Sequence, residues 1–196
     1  MKLCVFQGTF NPIHKAHLRV ADYVAQKYNF DKVLFIPAYN PPHKNIDPKN
    51  SKHRFNMVKL AIKQNPKFEI SDIEFKRQGK SYTYETIQEL YNNFEIEDKI
   101  NFLIGTDAFA NIENWYEAEK LKNIVKFILF VREDNCKISK YDYLREKGYD
   151  FEFQQLEFQD ISSTELRNDI KMGKNITGFV TDEVEEYIKN NGLYQD

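Results

Sequence analysis

The stretch LCVFQGTFNPIHKAHLRVADYVAQKY, residues 3–28, contains the local pattern that decides the fold. An apolar run typical of a strand, residues 3–7, leads into a loop that contains glycine and proline. Beyond the loop, apolar residues recur at helical spacing and form one stripe. The stripe consists of Leu18, Ala21, Val24, Ala25 and Tyr28. We therefore expect a strand, a loop and then a helix at the start of the chain.

The same alternation continues along the rest of the chain. Apolar runs rich in Val, Ile and Phe predict further strands at residues 32–38, 68–75, 100–105, 125–131 and 151–158. Helical periodicity is found at residues 51–65, 84–94, 163–173 and 181–192. Strands that alternate with helices of this length imply a parallel sheet with right-handed crossovers. We expect an α/β fold, a Rossmann-like doubly wound parallel sheet with flanking helices, which binds ligands at the carboxyl ends of its strands.

Capping residues indicate where several of these helices begin and end. Ser51 and Thr181 are predicted N-caps, and Gly173 and Gly192 are predicted helix stops. In the helix of residues 51–65, the predicted apolar face contains Phe55, Val58 and Ile62.

Length, charge and cysteine content narrow the class of protein. A chain of 196 residues predicts a single domain, residues 1–196, with a helical C-terminal part at about 160–196. Its 28 basic and 30 acidic residues lack the basic surplus of nucleic-acid binders, so local groups must hold any anionic ligand. Cys4 and Cys136 lack CxxC spacing and are expected to be free thiols in a reducing compartment. Because residues 1–10 lack a signal-peptide pattern and no apolar run is of spanning length, we expect a cytoplasmic protein.

Two of the four histidines, His14 and His17, lie three residues apart between the first strand and the first helix. Gly8 would let the backbone approach a ligand, and Pro12 stiffens the loop. The helix that follows offers free N–H groups and a positive dipole end, which favour phosphate. A zinc site with His43 as third ligand is an alternative, although no carboxylate or cysteine stands nearby at ligand spacing. Turn histidines with a structural role only are a second alternative.

The segment DISSTELR, residues 160–167, predicts a second helix N-terminus at the same edge of the sheet. Ser162 and Ser163 are interpreted as caps, with Arg167 in the first turns. Either this is an ordinary capped helix with a solvated arginine, or its N–H groups, hydroxyls and guanidinium bind phosphate oxygens.

Three further segments carry polar or aromatic groups to this edge. Lys44, in the rigid NPPHK loop, is either solvated or reaches a phosphate as a point charge. Asp107 follows a strand that ends in Gly105, where a carboxylate commonly accepts from a ribose hydroxyl. Trp115, followed by Tyr116, is either a core residue or stacks on a planar ring.

Taken together, these segments resemble a known family. The motifs GTFNPIHKAH, NPPHK, KHRFNMVKLAI, GKSYTYET, GTDAF, NWY and ISSTELR occur in the order found in bacterial nicotinate mononucleotide adenylyltransferases, of the HxGH nucleotidyltransferase superfamily. The resemblance runs from residue 2 to about residue 190. The HxGH-like and ISSTxxR-like motifs are specific to the superfamily only, whereas NPPHK, SYTYET and the Trp115 segment narrow the resemblance to this family.

The sequence departs from the family pattern at three places. Ala16 stands where the family usually has the glycine of HxGH, and Asn11 stands where it usually has aspartate. Alanine is small enough for close approach, while Asn11 has lost a charge and is assigned no catalytic role. The segment VREDN lacks a glycine often found there, which leaves the role of Arg132 undefined.

The resemblance implies a defined reaction. The 5′-phosphate of nicotinate mononucleotide would attack the α-phosphorus of ATP and give deamido-NAD and pyrophosphate, without a covalent enzyme intermediate. Catalysis would then consist of positioning and charge stabilisation. Mg²⁺ would arrive with ATP, held mainly by phosphates and water rather than by a protein metal site. The implied partners are ATP and nicotinate mononucleotide, with no nucleic acid and no membrane; a homo-oligomer is left open.

The resemblance also assigns roles to residues. The catalytic residues would be His14, His17, Lys44 and Arg167. The ATP-binding residues would be Gly8, Thr9, His14, His17, Asp107, Ile161, Ser162, Ser163 and Arg167. The residues that bind the mononucleotide would be Lys44, Ser81, Tyr82, Thr83, Trp115 and Tyr116. Backbone N–H groups of Thr83 and Tyr116 would meet the nicotinate carboxylate, while Trp115 stacks on the pyridine ring.

Three rival functions are left open by the residues. A phosphopantetheine adenylyltransferase shares the superfamily motifs, but NPPHK and SYTYET argue against it. A nucleotide-binding regulatory module would explain Ala16 and Asn11 as marks of lost activity, but the intact His14, His17, Lys44 and Arg167 argue against that. The third is a zinc-dependent hydrolase built on the histidines.

Overall fold

The structure is a computed structural model that describes residues 1–42, 48–131, 138–155 and 162–195. Within these ranges the strands are β1 (Leu3–Gly8), β2 (Lys32–Pro37), β3 (Phe68–Ile70), β4 (Ile100–Gly105), β5 (Val125–Val131) and β6 (Phe151–Gln155). The α-helices are α1 (Lys15–Lys27), α2 (Ser51–Ala61), α3 (Ile73–Arg77), α4 (Thr83–Asn93), α5 (Thr106–Phe109), α6 (Ala118–Ile124), α7 (Asp142–Glu146), α8 (Ser163–Lys171) and α9 (Asp182–Asn190). Short 3-10 turns are found at Pro48–Asn50, Ile112–Asn114 and Ile138–Tyr141.

The strands form one parallel sheet in the order β3-β2-β1-β4-β5-β6. From β1, the next two strands extend the sheet to one side, and β4, β5 and β6 extend it to the other. The switch lies between β1 and β4, where Cys4 pairs with Asn101 and Val5 with Phe102. Such a reversal opens a crevice at the carboxyl ends of the two strands, because the connections leave them toward opposite sides. The predicted α/β fold, a doubly wound parallel sheet, is confirmed.

Both faces of the sheet are buried. Cys4 and Phe6 of β1 lie in one hydrophobic cluster together with residues of α1, α2, α8 and α9. Leu3 and Val5 point to the opposite cluster, which residues of α3, α4, α5, α6 and α7 complete. Since successive strand residues alternate between two apolar layers, the strands are continuous apolar runs in the sequence. None of the helices in the described ranges has both the length and the apolar composition needed to cross a bilayer.

The predicted strand at residues 68–75 is only half correct. β3 ends at Ile70, and the chain turns into α3. The turn is stabilised by Ser71, whose hydroxyl accepts the N–H of Ile73 at 3.3 Å. Residues 156–158 of the last predicted strand lie outside the described residues.

Of the predicted caps and stops of the second and last helices and of α8, Thr181, Gly173 and Gly192 are correct, whereas Ser51 is not a cap and α2 ends at Ala61 rather than at residue 65. Ser51 is the first residue of α2 rather than its cap, because the 3-10 turn at residues 48–50 runs directly into the helix. The Thr181 hydroxyl caps α9 by accepting a backbone N–H at 3.4 Å, as predicted. Gly173 and Gly192 follow α8 and α9 with positive φ angles of 68° and 57°, which is the helix-stop conformation.

Candidate active site

A cavity of about 520 Å³ opens at the reversal point between β1 and β4. Its position at the carboxyl ends of the strands is where a doubly wound sheet binds nucleotides, and its volume fits a ligand of that size. Eight residues of the predicted site line it: Gly8, Thr9, Ser81, Tyr82, Thr83, Asp107, Trp115 and Tyr116. The fold therefore brings residues of both the predicted ATP set and the predicted mononucleotide set to one cavity, while the lining does not include His14, His17, Ser162, Ser163 and Arg167.

The N-terminus of α4 forms one wall of this cavity. Tyr82 is the N-cap in an extended conformation, and Thr83 is the first helical residue. The Thr83 hydroxyl donates to Gln7 Oε1 at 2.7 Å, which fixes the side chain against the end of β1. The first amides of a helix have no partner within the helix, so this wall suits a negatively charged group.

Aromatic rings also line the cavity, and one of them lies beside the N-cap of α4. Trp115 is half-buried and packs edge-to-face on Phe102, with ring centroids 6.3 Å apart at 84°. Tyr116 is 47% exposed, and its ring lies 4.5 Å from that of Tyr82 at 31°. Trp115 is thus neither a pure core residue nor a fully exposed one, and it can offer an aromatic surface to a planar ring.

The Asp107 carboxylate lies at the end of β4, in space left open by the missing side chain of Gly105. A Cβ atom on Gly105 would lie 2.5 Å from Asp107 Oδ1, so the carboxylate occupies the space that any other residue would need. Glycine at this position lets the carboxylate fold back over the strand end, beside the cavity that it lines.

The two histidines stand side by side at the start of α1. His14 is the N-cap and is 2% exposed, and His17 lies three residues further on, half-buried. Their ring centroids are 3.7 Å apart with a tilt of 34°. The His14 N–H donates to His17 Nδ1 at 3.3 Å, so the neutral His17 ring carries its proton on Nε2. This loop of residues 9–14, called the histidine loop below, therefore orients His17 with its own backbone.

Gly8 is explained by its neighbour Phe10. A Cβ on Gly8 would lie 2.9 Å from the Phe10 ring. That ring in turn packs edge-on against His17, with centroids 5.2 Å apart at 79°. Gly8 also lines the cavity, but the close approach that the structure displays is to Phe10 rather than to a ligand.

The N-terminus of α8 has the predicted capping geometry at one of its two serines. Ser162 is the N-cap and accepts the Glu165 N–H at 3.1 Å. Glu165 accepts from the hydroxyl and the N–H of Ser162, both at 2.7 Å, and these hydrogen bonds lower the pKa of its carboxyl group. Ser163 is not a cap, since it is already helical.

Side chains of α8 instead join this helix to the histidine loop. The Ser163 hydroxyl donates to the carbonyl of Pro12 at 2.9 Å. Arg167 donates to the carbonyl of Asn11 at 2.8 Å and to Thr164 Oγ1 at 3.2 Å. A guanidinium carries five N–H groups, so these bonds leave it capacity for phosphate oxygens. Arg167 and His17 thus flank one loop beside the cavity.

Several predicted residues cannot be placed. Lys44 and Ile161 of the predicted site, as well as His43, Arg132 and Cys136, lie outside the described residues. The third ligand of the zinc alternative is therefore not placed, and the described part of the chain contains no group of three His, Cys, Asp or Glu residues that could hold a metal ion.

Arg54 is a residue of the site that sequence reasoning missed. It is fully buried, and donates to the carbonyls of Thr9 at 2.7 Å and Tyr39 at 3.2 Å. Burial lowers the pKa of its guanidinium to about 10. Its place in the sequence gave a signal, because Arg54 falls on the buried face of α2 with Met57 and Val58, whereas the predicted face residue Phe55 is half-buried.

Glu74 was missed because its segment was interpreted as a strand. It is 1% exposed and accepts hydrogen bonds from the Gln7 side-chain amide, from the Tyr39 N–H at 3.1 Å and from the Thr86 hydroxyl at 2.8 Å. It thereby ties β1, the loop after β2 and α4 together behind the cavity. Through Gln7 it also sets the orientation of Thr83.

Comparison with known proteins agrees with this geometry. A model of the cytidylyltransferase-like family matches residues 5–169. A probable nicotinate-nucleotide adenylyltransferase of Caldicellulosiruptor saccharolyticus is 40% identical over 200 residues, which span both chains completely. A probable enzyme of the same name from Clostridium botulinum is 39% identical and covers 97% of this chain and 98% of its own.

Solved structures share the fold. The nicotinic acid mononucleotide adenylyltransferase of Plasmodium falciparum, complexed with NaAD, superposes with a TM-score of 0.78 at 24% identity, over 98% of this chain and 96% of its own. A putative nicotinate-nucleotide adenylyltransferase of Vibrio parahaemolyticus gives 0.66 at 25% identity, over 100% and 97% of the two chains. From the family match, the full-length relatives and the sheet order, we conclude that the chain belongs to the cytidylyltransferase-like family and, within it, to the nicotinate-nucleotide adenylyltransferases.

Proposed function

We propose that this chain transfers the adenylyl group of ATP to nicotinate mononucleotide, giving deamido-NAD and pyrophosphate. Family membership carries the class of enzyme, an adenylyltransferase of NAD biosynthesis. The observation that carries the acceptor is the cavity itself, which both the half-buried Trp115 and the helix N-terminus at Thr83 line.

The proposed reaction requires the protein to position the two substrates and to stabilise negative charge on the reacting phosphates. A phosphate monoester is already anionic, so it can attack the α-phosphorus in line, without a general base or a covalent intermediate. We assign His14, His17 and Arg167 to the ATP phosphates, where they offset the charge that builds up in the transition state. Lys44 would hold the reacting phosphates together. The joined histidine loop and α8 support this assignment, because they set these donors before substrate arrives.

The remaining residues of the ATP site surround these donors. Gly8 and Thr9 would line the loop under the nucleotide, and Asp107 would accept from a ribose hydroxyl. Ile161, Ser162 and Ser163 would contribute the N-terminus of α8 to the triphosphate. The proximity of Asp107 and Thr9 within one cavity supports this arrangement.

The acceptor is recognised by its ring and its carboxylate. Trp115 would stack on the pyridine ring, and backbone N–H groups of Thr83 and Tyr116 would donate to the carboxylate, with Ser81 and Tyr82 beside them. A carboxylate accepts from every such donor, whereas the NH₂ of an amide would face them with hydrogens. The acid is therefore the expected substrate rather than the amide.

Magnesium fits this site as a partner of ATP. Mg²⁺ keeps several waters and takes one or two protein carboxylates at most, because the phosphates fill much of its coordination shell. We assign the ion to the phosphates and to water, and Asp107 of the cavity keeps its assignment to the ribose. When bound, the ion neutralises phosphate charge, and the chain's own donors do the positioning.

The cytoplasm is the compartment that we assign to the reaction. Cys4 is a free cysteine, buried in β1, and burial raises the pKa of its thiol. Such a thiol is a packing group that a reducing environment leaves unchanged.

A direct assay tests the proposed function. Purified protein is incubated with ATP, Mg²⁺ and one acceptor: nicotinate mononucleotide, nicotinamide mononucleotide or phosphopantetheine. We expect chromatography to show deamido-NAD and pyrophosphate, with kcat/KM for the acid higher than for the amide by at least about tenfold. Dinucleotide from neither mononucleotide would refute the proposal, and product from phosphopantetheine alone would identify the sister enzyme.

A further inference from the structure

We propose that Tyr194, in the C-terminal tail, is a positioning residue that holds the histidine loop for ATP through Asn11. The proposal rests on the proposed function for the part that ATP plays. The hydroxyl of Tyr194 donates to Asn11 Oδ1 at 2.7 Å, across 183 positions of sequence. The last turn of the chain thus contacts the loop that begins at its ninth residue.

The tail reaches the loop by a constrained path. Gly192 and Tyr194 both have positive φ angles, 57° and 65°. The left-handed region is unfavourable for an aromatic residue, so other contacts must hold Tyr194 there. Leu193 and Tyr194 both pack against the hydrophobic cluster under α1, α2 and α9. The packing and the hydrogen bond together account for a conformation that the backbone alone disfavours.

Three elements converge on the histidine loop, and each binds a different oxygen. Arg54 of α2 binds the carbonyl of Thr9, Arg167 of α8 binds the carbonyl of Asn11, and Tyr194 binds the Asn11 side chain. Both arginines lie close enough to the Tyr194 phenol for their positive charges to act to lower its pKa, against the larger effect of burial. Ser163 of α8 adds a bond to the carbonyl of Pro12, so Tyr194 completes an attachment of the loop through four side chains.

The phenol differs from the arginines in charge. Arg167 is shared, in the proposed function, between Asn11 and the phosphates of ATP, so it cannot serve the loop alone. An uncharged hydroxyl holds the loop without competing for phosphate. Burial raises the pKa of Tyr194, which keeps this donor protonated at neutral pH.

The side chain of Asn11 fits this role. The family usually has aspartate here, and asparagine retains one acceptor oxygen of the same reach. In this chain that oxygen accepts from Tyr194. Asn11 thus connects the tail to the histidine loop, which ends at His14 and orients His17, and we assign it no contact with substrate.

A loop that is fixed beforehand binds its ligand more tightly, because ligand binding does not have to order it. Loss of the Tyr194 hydroxyl should therefore weaken ATP binding and leave the mononucleotide, on the other side of the cavity, unaffected. A merely structural tyrosine would lower stability without this asymmetry.

Tyr187 of α9 provides the matched control. Its hydroxyl interacts with His53 Nδ1 at 3.0 Å and accepts from Asn56 Nδ2 at 2.9 Å, both on α2. Tyr187→Phe removes the same atom from the same end of the chain, yet from contacts that do not include the histidine loop.

The experiment compares four variants: Tyr194→Phe, Tyr187→Phe, Asn11→Ala and the double variant Asn11→Ala/Tyr194→Phe. Calorimetry measures the Kd of α,β-methylene-ATP, which binds but cannot transfer its adenylyl group, and steady-state assays give KM for each substrate. For Tyr194→Phe we expect Kd and KM for ATP to rise roughly fivefold, the equivalent of one hydrogen bond, with KM for the mononucleotide unchanged. The double variant should be no weaker than the Asn11→Ala variant, because both remove one interaction.

The control decides between positioning and general destabilisation. Tyr187→Phe should lower Tm and leave the Kd for the nucleotide as in the wild type. Wild-type Kd in Tyr194→Phe, an equal loss in both tyrosine variants, or additive effects in the double variant would each overturn the proposal.

A failure of the proposed function would be visible separately. If the wild type bound no nucleotide analogue, hydrogen exchange at residues 9–14 would still test the attachment. Faster exchange in Tyr194→Phe than in Tyr187→Phe supports it, and equal exchange contradicts it.

Discussion

His17 is placed by its neighbours before any substrate is present. Its Nδ1 accepts the N–H of His14, and its ring contacts the rings of Phe10 and Phe6, with centroids 5.2 and 5.8 Å away. Such contacts restrict an imidazole to one rotamer and one neutral tautomer. An imidazole held in this way can donate from Nε2 to developing negative charge without reorganising.

The first prediction concerns this imidazole. We expect His17→Ala to lower kcat by about a hundredfold or more, because a donor to transition-state charge is lost from a fixed position. The control is His53→Ala, which removes a half-buried histidine from α2 and should leave kcat close to that of the wild type. Steady-state kinetics with both substrates, together with Tm for each variant, make the comparison. Near-normal turnover of a folded His17→Ala variant would remove His17 from its role.

The residues of the site differ in how far the sequence predicts them. The histidines, Thr83 and Trp115 belong to short motifs whose meaning is local; Thr83 and Trp115 line the cavity, and the histidines stand at the start of α1. Arg54 and Tyr194 act on partners 45 and 183 positions away. No local pattern specifies such pairs, since they depend on how α2 and the tail pack on the finished sheet.

At the scale of elements, α3 shows why a short helix is difficult to predict from the sequence. Five residues, Ile73–Arg77, are too few for a helical period to emerge from a pattern that also alternates as a strand does. The buried Glu74 decides the outcome, because its carboxylate finds three donors only when the chain has turned at Ser71. The four-residue α5 was missed for the same reason, whereas the longer α1, α4, α8 and α9 were predicted.

The second prediction concerns Glu74. In Glu74→Gln the new NH₂ group faces donors, and we expect the free energy of unfolding to fall by about 2 to 3 kcal/mol. Because Gln7 and Thr83 depend on this carboxylate, KM for the mononucleotide should rise more than KM for ATP. Denaturant unfolding and steady-state kinetics measure both.

Glu69→Gln on β3 is the control for that change. Glu69 pairs with Lys32 at 2.6 Å, and its side chain is 44% exposed, so its loss should cost less than about 1 kcal/mol. Equal losses in the two variants would show that Glu74 has no special part in the wall of the cavity.

At the scale of the whole molecule, the sheet order joins distant parts of the chain at one crevice. The cavity draws on β1, the loop after β2, α4 and β4, while α8 and the tail hold the histidine loop beside it. The parallel direction of the strands was predictable from the alternation of strands and helices, and the strand order comes from the structure. The placement of α8 and α9 on the same face as α1 was not predictable, because it depends on the packing of whole elements against one cluster.

The third prediction follows from this convergence. A ligand that binds only the folded state stabilises it, by about 2.7 kcal/mol at a hundred times its Kd. For a chain of this size we expect α,β-methylene-ATP to raise Tm by about 5 to 10 °C. Adenosine at the same concentration lacks the phosphates and should produce a smaller shift in a thermal unfolding scan. Equal shifts would place the binding energy outside the phosphate contacts.

The absence of a side chain at Gly8 has a consequence for the chemistry. The Phe10 ring fills the space that a Cβ would take, and the same ring leans on His17. A methyl group added at Gly8 would therefore displace the Phe10 ring, and the displaced ring would shift the imidazole of His17. The lack of a side chain at Gly8 therefore helps to set the position of His17 through Phe10. A substitution of Gly8, even by alanine, is expected to change catalysis as an active-site mutation would.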